Sequence, residues 1–269
     1  MNRSELVKRI HAQESYLCVG LDTDPAKIPA HLRNRPDAVV AFNKAIIEAT
    51  LPYCVSYKIN TAFYESRGLK GWQEMEETVR LIPDTHLRIA DAKRGDIGNT
   101  SAQYAKCFFE ELPFDAVTVA PYMGEDSVRP FLDYTDKWTI VLGLTSNAGS
   151  SNFQQQSLSS GKKLYETVLT TVSGWGTPGN LMFVVGATKA SDMAHIRTII
   201  PDHFLLVPGV GAQGGSLAEV SSFGMNNEIG LLVNASRAVI FAGDGEDFAE
   251  KAAAVAKGYQ QEMQKYLSR

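Results

Sequence analysis

The sequence predicts a (β/α)8 barrel, the TIM-barrel architecture, on three observations. Eight short runs rich in Val, Ile and Leu alternate with longer amphipathic stretches, the order that builds a parallel sheet flanked by helices. The short runs are mostly unalternated, as strands buried on both faces require. The 269 residues match the roughly 250 that such a barrel uses as a single unit, whereas an open sheet would need fewer repeats.

In chain order, strand one is expected at Leu17–Leu21, followed by a helix at Ala38–Thr50, and strand two at Val55–Ile59, followed by a helix at Gly71–Ile82. Leu87–Ala90 and Thr100–Glu111 form the third pair, Ala116–Ala120 and Glu125–Tyr134 the fourth. Then come Thr139–Leu144 with Lys162–Trp175, Leu181–Val185 with Ser191–Ile200, and Phe204–Val207 with Leu217–Phe223. Strand eight is ambiguous, because Leu231–Asn234 and Ala238–Ala242 both look like strands. The first is chosen because it leaves Arg237 at the strand's carboxyl end. In the final helix, Asp247–Leu267, Phe248, Ala252, Val255, Ala256, Tyr259 and Met263 share one face. No linker or short repeat divides the chain, so residues 1–269 are expected to form one domain. The one compositional break is Ser146–Ser160, fifteen polar and small residues after strand five. A loop of that length at a strand's carboxyl end suits an active-site role.

Composition narrows the function classes. With 26 Lys+Arg against 30 Asp+Glu the net charge is −4, which provides no general attraction to nucleic acid or anionic membranes. A 44% hydrophobic content is ordinary for a folded soluble domain. No stretch approaches the span of about 20 apolar residues of a membrane helix, and the N-terminus lacks a signal-peptide core. Cys18, Cys54 and Cys107 are odd in number, form no C-x-x-C and have apolar neighbours; they are expected to be buried, reduced thiols in a cytoplasmic protein. His11, His31, His86, His195 and His203 share no metal-ligand spacing. Trp72 and Trp175 fall in helical stretches and Trp138 precedes strand five, positions for packing. There is neither a nucleophile elbow nor a dinucleotide fingerprint.

Sites in such barrels form at the carboxyl ends of the strands. There the sequence places Asp22 after strand one, Lys58-Ile59-Asn60 at strand two, and Asp91-Ala92-Lys93-Arg94-Gly95-Asp96 at strand three. Asp91 and Lys93, two residues apart, point the same way from an extended strand. Lys58 can reach the same face. Charges embedded in apolar strands must compensate one another, and the alternation Lys58, Asp91, Lys93, Asp96 achieves this while keeping Lys93 protonated. A purely structural ion-pair network is the alternative. A second constellation, Pro208–Gly215, has four glycines in eight residues, including Gly211 and Gly214, and could cradle a phosphate with backbone N–H groups beside Arg237.

Asp91-Ala-Lys93-Arg-Gly-Asp96-Ile-Gly-Asn-Thr100 resembles the D-x-K-x-x-D signature of the orotidine 5′-phosphate decarboxylase family, including its trailing I-G-N-T. The resemblance runs from Gly20-Leu21-Asp22 through Lys58 to the glycine-rich loop and Arg237. The Thr145-Ser146-Asn147 loop is similar to that of the longer bacterial group, which has proline where Ala148 stands here. It implies decarboxylation of orotidine 5′-phosphate to UMP, the last step of pyrimidine nucleotide synthesis, without metal or organic cofactor. It further implies that Asp22 and Lys58 contact the ribose, Ser146 reads the pyrimidine, and Gln213 and Arg237 hold the phosphate. Asp96 and Thr100 would reach the neighbouring subunit's site in a homodimer. A Mg²⁺-dependent sugar-phosphate enzyme of the same suprafamily, such as 3-hexulose-6-phosphate synthase, is the nearest rival. It would have an additional acid near strand two, where Lys58 stands. A non-catalytic phosphate-binding barrel is the other.

Overall fold

The computed structural model describes residues 1–187, 190–211 and 214–267. Helix α1 (Arg3–Gln13) opens the chain and is started by a capping box: Glu5 N–H donates to the Asn2 side chain at 3.0 Å and Asn2 N–H to the Glu5 carboxylate at 2.8 Å. Strand β1 (Leu17–Gly20), the short helix α2 (Ala30–Arg33) and α3 (Ala38–Thr50) follow. Next come β2 (Ser56–Asn60), α4 (Ala62–Glu65), α5 (Gly68–Leu81), β3 (Leu87–Arg94), α6 (Gly98–Lys106) and β4 (Ala116–Val119). The chain continues with α7 (Glu125–Leu132), β5 (Trp138–Leu144), α8 (Leu164–Ser173), β6 (Leu181–Val185), α9 (Ala190–Ile199) and β7 (Phe204–Pro208). It ends with α10 (Leu217–Gly224), β8 (Leu231–Ala235), α11 (Arg237–Ile240) and α12 (Phe248–Leu267).

The eight strands are all parallel and close into a barrel in sequence order, β8 pairing back onto β1. Every residue of β1, β4, β6 and β8 is buried, which explains why their sequences do not alternate. The second strand-like run, 238–242, begins instead as α11, a single turn that starts at Arg237.

The expected elements are present with three instructive differences. β3 runs on through the charged motif to Arg94 instead of stopping at Ala90. The stretch expected as one helix to Glu111 changes at Cys107 into a π-helical turn, Cys107–Glu111. Helix α1 was not foreseen, although the Asn2-x-x-Glu5 spacing is a visible helix start. It lies across the amino ends of the strands: Arg3 reaches the Pro178 carbonyl at 2.7 Å and covers the Phe204 ring.

Cys18 and Cys54 are buried, Cys107 is half-buried, and all three are free. Trp138 is the first residue of β5, and its indole N–H donates to the Met1 carbonyl at 2.9 Å. Trp175 lies just beyond α8 rather than within it. Among the described residues no helix is long and apolar enough to cross a membrane. Nor does any group of three His, Cys, Asp or Glu among them stand where it could hold a metal.

Candidate active site

At the carboxyl end of the barrel, β1, β2 and β3 bring their terminal residues side by side, with Gly20 opposite Lys58 and Asn60 opposite Asp91. Gly20 is required there, because a Cβ would lie 2.7 Å from the Ser236 side chain and 3.1 Å from Asn234 Oδ1. Lys58 is buried and projects from β2 between two carboxylates, with Asp91 Oδ2 at 3.0 Å and Asp22 Oδ1 at 3.5 Å. Lys93 Nζ donates to the other oxygen of Asp91 at 2.6 Å.

These contacts fix the ionisation states. Burial alone would drive Lys58 towards the neutral amine, but Asp91 and Asp22 outweigh it and hold its pKa above the ordinary lysine value. Burial likewise opposes charge on Asp91. Lys58 and Lys93 outweigh that cost and hold the carboxyl well below the usual carboxylate range. The result is a Lys58–Asp91 pair that is charged at neutral pH, with Lys93 bonded to the same carboxylate and half-exposed at the outer end.

A cavity of about 190 Å³ opens beside it, lined by Asp22, Lys58, Asn60, Asp91, Asn234 and Arg237 together with the start of the glycine-rich loop. Arg237, the first residue of α11, is exposed at its rim. Gly209, Gly211 and Gly214 all take positive φ (97°, 76° and 85°), the backbone region that glycine adopts without strain. The N–H of Gly211 donates to the Gly215 carbonyl, and that of Gly214 to the Gly211 carbonyl, both at 3.0 Å. These two N–H groups thus close the loop on itself and are not free to cradle an anion as expected. Their part is to shape the turn. Gln213 lies outside the described residues.

Ser146 stands just after β5, and its hydroxyl is buried without a partner among the described residues. It occupies space that only a glycine at position 186 leaves open: a Cβ there would overlap Ser146 Oγ. The loop beyond is folded on itself, with Thr145 N–H donating to Gln154 Oε1 at 2.8 Å and the Gln155 amide donating to the Ser150 hydroxyl at 2.8 Å.

Within one chain the array comprises Lys58, Asp91 and Lys93. Among the described residues Asp96 makes no ion pair; its carboxylate accepts the Ile97 N–H at 2.7 Å, beyond the end of β3. Thr100 is exposed in the first turn of α6. Three residues of the site escaped sequence reasoning. Gly186 and Thr118 gave no signal, since glycine and threonine are unremarkable near and within strands. Asn234 gave a faint one, a polar side chain in an apolar run, and it is buried with Oδ1 unpartnered among the described residues.

Fold and site together define a barrel enzyme that acts electrostatically on an anionic substrate. Comparison with known proteins sharpens this class. The model of the orotidine 5′-phosphate decarboxylase / HUMPS family matches residues 15–252. A Phocaeicola vulgatus protein named orotidine 5′-phosphate decarboxylase is 56% identical over 271 aligned positions, covering 99% of each chain. The solved OMP decarboxylase of Leishmania donovani superposes with a TM-score of 0.81 at 36% identity, covering 97% of this chain and 99% of that one. Against the UMP synthase of the same organism the TM-score is 0.83 at 39% identity, and the chain spans 57% of that longer protein. The chain belongs to the orotidine 5′-phosphate decarboxylase / HUMPS family.

Proposed function

We infer that the protein decarboxylates orotidine 5′-phosphate to UMP and CO₂, and that the Lys58–Asp91–Lys93 chain performs the chemistry. The observation that carries the assignment is the half-exposed Lys93 ammonium bonded to Asp91, the carboxylate that it shares with Lys58 and that lines the cavity. In this reading Arg237 and Gln213 hold the phosphate, Asp22 and Lys58 the ribose, and Ser146 the pyrimidine. The substrate carboxylate then lies beside Asp91 with C6 facing Lys93. As the C6–carboxylate bond breaks, its electron pair remains at C6 in an orbital that the ring delocalises poorly. The fixed Lys93 charge stabilises that pair without reorganising, and an Nζ proton moves to C6 as CO₂ leaves. The lysine regains its proton from solvent. Binding energy from the distant phosphate helps align the charged groups.

A lysine on β2, where the Mg²⁺-dependent rival would have an acid, favours the decarboxylase over that sugar-phosphate chemistry. Residues 1–269 then act as one barrel domain, with the loop at about 146–160 as an active-site insertion. The three free thiols and the nucleotide substrate fit a cytoplasmic enzyme. Loss of orotidine 5′-phosphate absorbance, measured with and without chelator, tests the assignment. Turnover insensitive to chelator is expected, and turnover that requires added Mg²⁺ would sink it.

The working form in this reading is a homodimer with shared sites. Phe63, Ile97, Tyr122 and Met123 are exposed apolar residues on the segments that follow β2, β3 and β4, the same end that carries Asp96 and Thr100. A two-fold partner covering that surface would bring Asp96 towards the opposing Lys93. Lys93→Ala and Asp96→Ala, each inactive, should then rescue each other on subunit exchange. Half the dimers become mixed and each has one intact site, so about a quarter of wild-type activity returns. No recovery, with exchange verified by mass, would refute the shared site.

A further inference from the structure

β3 and β4 lose register where the charged motif begins. Ala90 pairs with Val117 and Arg94 with Val119, so Asp91, Ala92 and Lys93 stand opposite the single residue Thr118. Lys93 enters the bulge with a φ of 49°, a left-handed conformation that costs a non-glycine residue and persists only where its surroundings hold it. Thr118 supplies the hold. Its side chain is fully buried; its hydroxyl accepts the Lys93 N–H at 2.9 Å and donates to Asp91 Oδ1 at 3.0 Å. A hydroxyl has one proton, so accepting from the backbone commits that proton to the carboxylate. The same Asp91 oxygen accepts the Lys93 ammonium at 2.6 Å. One hydroxyl therefore fixes both the backbone of the lysine and the carboxylate that orients its head.

We propose that Thr118 is a positioning residue for the decarboxylation: from β4 it sets the plane of the Asp91 carboxylate and holds Lys93 in the bulged backbone that brings its ammonium onto that carboxylate. The proposal rests on the reading that this array decarboxylates orotidine 5′-phosphate. No bond is made or broken at Thr118. Its contribution is geometric, and a misplacement of about 1 Å in a catalytic group can cost a hundredfold in rate.

The test compares Thr118→Val, which keeps the shape and removes the hydroxyl, with Thr118→Ser, which keeps the hydroxyl. Two readouts are taken: steady-state turnover of orotidine 5′-phosphate, and hydrogen exchange at the Lys93 amide in the protein without substrate. In Thr118→Val, kcat should fall about ten- to hundredfold, the worth of one hydrogen bond to a charged group, while KM stays within about threefold because the phosphate grip is untouched. Lys93 amide exchange should quicken at least about tenfold as its acceptor is lost. Thr118→Ser should recover most of the turnover and the protection. If Thr118→Val does not fold, Thr118→Ala takes its place in both readouts. An unchanged kcat per folded molecule in the hydroxyl-less variant overturns the proposal, as does an equal loss in the serine variant. If the wild type itself fails to turn over orotidine 5′-phosphate, the functional reading falls. Amide exchange then still decides whether Thr118 holds Lys93: acceleration in Thr118→Val upholds that hold and no change refutes it.

Discussion

The two ends of the barrel use polar side chains in opposite ways. At the amino end they complete the fold. Arg197, a half-buried residue of α9, donates to the carbonyls of Gly224, Ile200, His203 and Gly230 at 2.6–3.3 Å. Asp115 accepts both the Arg88 backbone N–H at 2.9 Å and its guanidinium at 3.1 Å, with the chain's own amino terminus 3.4 Å away. His86 and His203 are buried at the same end, and burial pushes both pKa values down to about 4, leaving the rings neutral at pH 7. At the carboxyl end Lys58 and Asp91 border an open cavity, the Ser146 hydroxyl has no partner among the described residues, and Lys93 takes a strained backbone. The difference teaches where each kind of substitution should register: stability below, turnover above.

Substitutions can break that division or sharpen it. The largest effect expected here is from Arg237→Ala, which should lower kcat/KM for orotidine 5′-phosphate about a hundredfold or more, the range for truncating one partner of a charged pair. The loss should be much smaller for the phosphate-free nucleoside, and equal losses for both would remove Arg237 from the phosphate site. Gly186→Ala comes next. Its Cβ would displace Ser146, so KM should rise about tenfold from the misplaced hydroxyl, with little change in melting temperature. An unaltered KM would detach Ser146 from pyrimidine recognition. Arg197→Leu should leave kcat per folded molecule unchanged yet cost about 3 kcal/mol or more of stability, because four carbonyls lose their donor in the interior. A stable variant with impaired turnover would contradict the division between the two ends.

Much of this was legible in the sequence, and the physical reasons are specific. Buried parallel strands read as apolar runs, so seven of the eight strands end within a residue of where the runs end. β3 was the exception because its last four residues, Asp91–Arg94, are charged or small, yet Asp91 pairs with Asn60 and Arg94 with Val119 around the bulge against Thr118. Lys58, Asp91 and Lys93 were legible because charges at apolar strand ends must meet partners. For Asp96 the spacing along the motif placed it in the array without saying in which subunit; in its own chain β3 ends at Arg94 and the Asp96 carboxylate accepts the Ile97 N–H. Thr118 and Gly186 act through neighbours 25 and 40 residues away in sequence, so only the closed barrel exposes them.

The central claim is that charge at the carboxyl end serves chemistry and not the fold. The most direct test is Lys93→Ala, with orotidine 5′-phosphate turnover, UMP binding and melting temperature measured on the same preparation. Turnover should fall at least about a thousandfold, since both proton donor and stabilising charge are lost. UMP binding should persist, and the melting temperature should change little, because Asp91 keeps its Lys58 partner. Near-normal turnover, or a large drop in melting temperature accounting for the loss, would contradict it.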